Sequence, residues 1–451
     1  MAAIAVAVLS ARANASADEP VSFRRDIAPI LIDNCLACHG PKKAEAGYRV
    51  DSFARAAQAG DSGAAGFAAG DADGSEALRR ITSDDEFERM PFEGDPLPEE
   101  QVALLARWIA EGAKFDGGDD PQASLASIVP PPTHPPAPQA YSRPIPITAL
   151  EFSADGSQLF VGGYHEISVW NATDGQLVRR IANVAERTYA IALSPDGQTL
   201  AVAGGMPGRL GEVRLFDAAS GELKRVLATS SDVVLDVAFH PNGETLAAAS
   251  ADGSIRICET ATGQEKLAIS SHSDWVCAIC YNADGSKLAS ASRDKTAKVF
   301  DAATGDLLVT YSGHGQSVRG VAFHPGGEEA YSCGADNAVH SWKIADAAKT
   351  ADVVGAGGEL FRLETGGEFC FVPSADKQTR QFRLADRGQV RTYGGHEDWV
   401  LVAAYHDATQ RLATGSFDGQ VRIYNTEDGT ETLNFLAAPG WPGEAPTPKS
   451  Q

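Results

Sequence analysis

His272-Ser-Asp-Trp-Val-Cys-Ala-Ile-Cys-Tyr-Asn-Ala-Asp-Gly-Ser-Lys-Leu-Ala-Ser-Ala-Ser-Arg-Asp-Lys-Thr-Ala-Lys-Val-Phe-Asp301 reads as one unit of a repeat. Val276 to Tyr281 is a short apolar strand, Asp284-Gly285 a tight turn, and the run around Leu288 a second strand. Asp294 sits in the next turn, and a third strand ends at Phe300. The pattern recurs roughly every forty residues. Its successive first strands are 147–152, 189–193, 234–239, 276–281, 318–323, a degenerate 359–363, and 400–405. Seven such units of four strands predict an all-β propeller, whose ring closure protects the sheet edges.

The repeats resemble WD40 units over nearly all of residues 147–437. Their third strands end in Trp170, Phe216, Cys258, Phe300, Trp342, Phe382 and Tyr424, mostly aromatic. His272, His314 and His396 precede first strands; Asp294, Asp336 and Asp418 fall in the turns between second and third strands. The resemblance implies that each such His and Asp joins Ser290, Ser332 or Thr414 in a structural hydrogen-bond network, so these histidines are read as scaffold rather than catalysts. The first and second repeats lack this set, and the insertion Met206-Pro-Gly-Arg-Leu-Gly211 is expected to lengthen the second into a protruding loop. Closure of the ring is open. Glu431 to Leu436 completes the seventh blade alone, or a strand near Tyr141 joins it.

Upstream, residues 116–146 are Asp/Gly-rich and then Pro-rich, Val129-Pro-Pro-Pro-Thr-His-Pro-Pro-Ala-Pro138, the composition of a semi-rigid spacer. A second domain is therefore expected at 18–115, with a leader at 1–17 and a disordered tail at 438–451. The leader, small and apolar and ending Ala15-Ser16-Ala17, fits signal-peptidase cleavage before Asp18, although a charged start is missing. Its apolar run is too short to span a bilayer.

Within 18–115 stands Cys35-Leu-Ala-Cys38-His39, the pattern of a c-type haem attachment site. On a helical turn, positions three and four apart share a face, so both thiols and the imidazole meet one macrocycle edge and its iron. The thiols would bond the porphyrin and His39 the iron. Zinc fails on arithmetic: a closed structural site wants four N or S ligands, and residues 1–130 hold only these three. A thioredoxin-like pair would need a βαβ context that is missing. The other CxxC, Cys277 and Cys280, lies on a strand, where residues three apart face opposite ways. Five cysteines remain outside the motif, an odd number that implies no disulfide framework.

One covalent haem c needs a second axial ligand. Met90 is the candidate in this domain, and its thioether would raise the reduction potential; His134, in the Pro-rich stretch, is the rival. Arg79 and Arg80 are candidates to meet haem propionates or to form a solvated face. Phe23, Ile27, Ile30 and Leu31 recur at helical spacing up to the motif, with Pro29 bending or restarting that helix. A second helix opens at Pro98-Glu-Glu100, stops at Gly112 and presents Val102, Leu105, Trp108 and Ile109.

Cys35-x-x-Cys-His-Gly40, Ala46-Gly-Tyr-Arg-Val-Asp51, Gly70-Asp-Ala-Asp-Gly-Ser75, Arg80-Ile81, Met90-Pro91 and Leu105-Ala-Arg-Trp-Ile-Ala-Glu-Gly112 together resemble the planctomycete-type cytochrome c domain. The resemblance implies a small all-α class I cytochrome fold with His39 and Met90 as axial ligands. Tyr48 stands where an aliphatic is expected, and Phe92 where a second Pro is usual.

The chain as a whole holds 38 Lys and Arg against 60 Asp and Glu, a net charge of −22. That argues against nucleic acid or an anionic membrane surface as partner. Expected is a multidomain exported or periplasmic electron-transfer cytochrome whose propeller docks a protein partner, with a redox protein as second partner. The alternatives are a haem-dependent enzyme and a redox-sensing interaction protein; the propeller shows no triad, phosphate loop or carboxylate dyad.

Overall fold

The computed structural model describes residues 19–441, apart from 41–42, 93, 131–132, 231 and 354–355. The expected leader and positions 442–451 of the expected tail lie outside the described residues. The chain divides into two compact units, Met1–Pro132 and Thr133–Gln451.

In the first unit Ser22 caps a π-helical turn, Phe23–Ile27, its hydroxyl accepting from the Arg25 N–H at 3.1 Å. Helix α1 (Ala28–Asn34) follows with Pro29 in its first turn, where the missing N–H has no intrahelical partner to lose. Of the two expectations for Pro29, restarting the helix is the one observed. Helices α2 (Phe53–Ala56), α3 (Glu76–Ile81), α4 (Glu99–Ala110) and α5 (Leu125–Ile128) complete the set. Helix α4 stops at Gly112, whose φ of +99° suits a residue without a Cβ. Leu105, Trp108 and Ile109 are buried against Phe23, Ile27 and Leu31, with Phe23 and Trp108 ring centroids 5.3 Å apart.

Residues 116–130, expected as spacer, fold back onto this unit. Leu125 is buried in its core, its N–H donates to the Asp51 carbonyl at 3.0 Å, and Ala54 N–H donates to Pro121 O at 2.9 Å. Composition marks the stretch as polar and Pro-rich, but Leu125, Ile128 and Val129 pack on the core and two backbone bonds join it to the unit.

Among the described residues of the second unit, twenty-eight strands form seven four-stranded sheets. Second strands such as Thr245–Ser250 and Lys287–Ser292 are buried on both faces and built largely from Ala and Ser. They lie between neighbouring sheets, where small side chains permit close packing. Fourth strands such as Glu265–Ile269 are largely exposed at the rim. The seven-bladed β-propeller expected from the repeat is thus present.

Blade 4 carries the network that the resemblance implied: His272 Nδ1 lies 2.8 Å from Asp294 and its Nε2 2.7 Å from Ser290 Oγ. His314, Asp336 and Ser332 repeat it in blade 5, and His396 with Thr414 at 2.8 Å in blade 7. Burial pushes the Asp294 carboxyl up, but hydrogen bonds from Thr296 and His272 outweigh it and hold the group down at about 2. The insertion at 206–211 is a longer hairpin rather than a separate loop. Strands Thr199–Met206 and Leu210–Asp217 stay paired out to Met206 and Leu210.

Blade 7 is built wholly from residues 400–436, so the first of the two closure modes is observed. Blade 1 packs against it through Ile147, Leu150, Trp170, Val402, Val421 and Phe435, and Ile147 N–H donates to Ser416 O at 3.0 Å. Tyr141 joins no sheet; its N–H donates to Pro439 O at 3.0 Å and latches the two ends of the ring.

In blade 6 the innermost strand is Glu364–Gly366, five residues later than the sequence suggested. Leu360 makes only an isolated bridge to Ser374, and Arg362 reaches inward instead. Its guanidinium donates to Asp236 in blade 3 at 3.0 Å, to Leu235 O at 2.7 Å and to Tyr189 O in blade 2 at 3.1 Å. This one side chain ties three blades together where blade 6 lacks the histidine network. Replacing Arg362 with Leu strands the Asp236 carboxylate and is expected to cost about 3 kcal/mol. Urea unfolding followed by tryptophan fluorescence measures it.

Candidate functional site

The motif at Cys35 directly follows α1 and continues as hydrogen-bonded turns. Cys35 N–H donates to Leu31 O at 3.0 Å and His39 N–H to Cys35 O at 2.9 Å. A residue four positions on therefore returns to the same side as Cys35. Cys35 is half-buried and Cys38 exposed, both as free thiols. Burial, then the neighbouring Cys38 charge, pushes the Cys35 thiol up to about 11.

Cys35 and His39 line a cavity of about 380 Å³ whose other walls include Leu31, Val50, Phe67 and Ile81. Met90, 51 positions beyond His39 in sequence, also lines it. Its backbone N–H donates to Arg80 O at 3.0 Å at the end of α3, which anchors the segment. Local spacing accounts for the first two residues. Only the turn after α3 accounts for the third.

Tyr48 organises the imidazole side. Its carbonyl oxygen lies 3.3 Å from His39 Nδ1. A carbonyl only accepts, so Nδ1 carries the proton and Nε2 keeps its lone pair for a ligand bond. The Tyr48 hydroxyl donates to Ala56 O at 2.8 Å. The ring passes Gly66 so closely that a Cβ there would sit 2.1 Å from the phenol oxygen. The residue that departs from the expected aliphatic thus forms a wall of the cavity.

Arg79 and Arg80 have carboxylate partners on the protein. Arg79 pairs with Glu76 and Glu88, each at 2.9 Å, and Arg80 with Glu76 at 2.9 Å. Hydrogen bonds from Arg79 and then Arg80 outweigh partial burial and hold the Glu76 carboxyl down at about 2. His134 belongs to the second unit, where its Nε2 pairs with Glu212. An imidazole nitrogen, a thioether sulfur, thiols at the motif and apolar walls are a donor set that fits a haem iron and its macrocycle.

A second cavity, of about 200 Å³ and partly open, is lined by residues from the innermost segments of all seven blades, around the propeller axis. Glu151, Asp236 and Glu364 face it together with Arg362. Burial pushes Glu151 up to about 7; burial, and then the Glu151 charge, push Glu364 up to about 8. Sequence reasoning missed this group, although the signal was present as single acids inside otherwise apolar strands, such as Asp236 in Val234–Phe239.

His314, Asp336 and His340 bring three ligand-type side chains within 4.8 Å in blade 5. The imidazoles stack, centroids 4.0 Å apart and planes within 17°. Ring lone pairs lie in the ring planes, so stacked rings do not converge them on one ion. His340 Nδ1 meets Tyr311 Oη at 2.8 Å, and Asp336 and Ser332 occupy both nitrogens of His314.

Residues 35–94 match the family model for Planctomycete cytochrome C. Residues 221–259, 263–301, 305–343 and 387–425 match that for WD domain, G-beta repeat. Both resemblances read from the motifs are therefore shown. The WD matches fall on blades 3, 4, 5 and 7, which include every blade with the histidine network, and they imply protein–protein interaction for the propeller. No curated protein matches the chain.

Because the folded chain keeps a proton on Glu364 that the unfolded chain releases near pH 4.5, stability falls as pH rises from about 4.5 to about 8. Glu364→Gln removes that loss. Its gain in urea midpoint over the parent is expected to be larger at pH 8.5 than at pH 5.

Proposed function

We propose that residues 18–115 form a class I c-type cytochrome domain that holds one haem covalently through Cys35 and Cys38, with His39 and Met90 as axial ligands. It serves electron transfer outside the cytoplasm, in a periplasm-like compartment. The propeller is the scaffold that docks a protein partner. The observation that carries this reading is the meeting of Cys35, His39 and Met90, from two distant stretches of sequence, on the walls of one apolar cavity.

Bound haem supplies a one-electron iron couple. The protein's part is to fix and shield it. Tyr48 O holds the Nδ1 proton of His39 and so presents Nε2. The Arg80 carbonyl fixes the Met90 backbone. Leu31, Val50, Phe67 and Ile81 exclude water, and a thioether opposite an imidazole favours the reduced state relative to two imidazoles. His39 and Met90 would both be engaged in holding the iron, which would leave it to electron transfer rather than to substrate binding. His134 is engaged by Glu212, which favours Met90 as the sixth ligand.

On the propeller, Trp275, Trp399 and Phe417 remain substantially exposed, and Arg293 lies over the Trp275 ring at 4.2 Å. Aromatic and Arg side chains of this kind are the usual anchors of protein interfaces, which supports the docking role.

Expression with haem-maturation machinery is expected to yield a haem absorbance that survives denaturation and is lost from the double Cys35→Ser, Cys38→Ser protein. Met90→Ala is expected to abolish the thioether-to-iron charge-transfer band and lower the potential. Covalent attachment in the double variant, or an unchanged spectrum in Met90→Ala, would contradict the assignment.

A further inference from the structure

The segment Ser83-Asp-Asp-Glu-Phe-Glu-Arg-Met-Pro-Phe-Glu-Gly-Asp95 carries six acids against one Arg. Two aromatic side chains bracket Met90 in it. Phe87 is 86% exposed and Phe92 55%, the two most exposed of the large apolar side chains among the described residues. Asp84, Asp85, Glu86, Glu88 and Asp95 are all exposed around them. Arg79 and Arg80, at the preceding helix, are already paired with Glu76, and Arg79 with Glu88 as well.

The segment is also held in place. Arg89 N–H donates to Asp85 O at 2.8 Å, Phe87 N–H to Asp85 Oδ1 at 2.9 Å, and Met90 N–H to Arg80 O at 3.0 Å. Aromatic side chains that stand in water on a hydrogen-bonded backbone, among acids of one sign, have the make-up of a docking face with an apolar centre and a charged rim. Met90 connects that segment to the cavity, since it lines the cavity and stands between the two Phe in sequence.

We infer that the face of Phe87 and Phe92 docks a redox protein whose own docking face is basic around an apolar centre, an inference that rests on the haem reading of the cavity. Charge decides the partner. A second copy of a chain with net charge −22 brings the same sign and is repelled, as is an anionic lipid surface. A ring of Lys or Arg is attracted and oriented, which raises the rate of productive encounter. In the encounter one electron passes between the haem iron and the partner's redox centre; one is oxidised as the other is reduced, and no proton need move.

The test uses the full-length haem-loaded protein, its spectrum recorded first, then stopped-flow oxidation of the reduced form. The probes are tris(phenanthroline)cobalt(III), a cation with flat apolar ligands, and ferricyanide, an anion. The cobalt rate is expected to fall about tenfold as salt rises from about 10 mM to about 500 mM, and the ferricyanide rate to rise. The triple variant Asp84→Asn, Glu86→Gln, Asp95→Asn is expected to lose most of that salt dependence. Phe87→Ser with Phe92→Ser is expected to slow the cobalt reaction several-fold at all salt concentrations, with spectrum and potential unchanged in both variants. Salt dependence of the opposite sign, or rates indifferent to both variants in a protein with an intact haem spectrum, would overturn the inference and leave the haem reading standing. A dimer in sedimentation that dissolves when the two Phe are replaced would overturn it in favour of a second copy. A protein that takes up no haem would overturn the reading beneath it.

Discussion

Tyr48 holds the first unit's cavity open and orients what lines it. Its carbonyl fixes the His39 ring, its hydroxyl closes on Ala56, and its ring occupies the space left by the absent side chain of Gly66. Each of these contacts is local and modest, about 1 kcal/mol for a typical net hydrogen bond. Together they set the direction of a lone pair. Direction is what a metal ligand needs, because an imidazole bonds only along its nitrogen axis. The placing of Met90 depends on a different constraint, its backbone bond to the end of α3.

The propeller is held in part by a device repeated in blades 4, 5 and 7. Small side chains let the sheets approach, and buried histidines bonded to Ser or Thr fasten three blades, an Asp completing the set in blades 4 and 5. Blade 6 has no such set. Arg362 takes over that role by crossing the ring interior to blades 2 and 3, and it brings a half-buried positive charge beside Asp236 and near Glu364. The ring closes through side-chain packing and the Tyr141 latch rather than a shared strand.

Much of this was legible in the sequence because it is written locally. The Cys-x-x-Cys-His spacing, the Asp-Gly turns and the aromatic ends of the third strands each depend on residues a few positions apart. What was illegible depends on distance. Nothing in Glu359-Leu-Phe-Arg-Leu363 says that Arg362 turns inward, because its partners lie 126 and 173 positions away. The fold of residues 116–130 onto the first unit rests on Leu125, with Ile128 and Val129 beside it, a cluster too short for periodicity to register. Tyr48 was noticed as a departure, but its role needed the position of Gly66. The axial acids were missed because single charges in apolar strands read as edge positions rather than as a ring assembled from separate blades.

The central claim is that His39 and Met90 bind one iron from opposite sides. Iron-edge X-ray absorption of the reduced, haem-loaded full-length protein tests it most directly. The account predicts a sulfur scatterer in the first shell beside the nitrogens, replaced by nitrogen or oxygen when Met90 is changed to Ala. A first shell of nitrogen alone in the unmodified protein would contradict it.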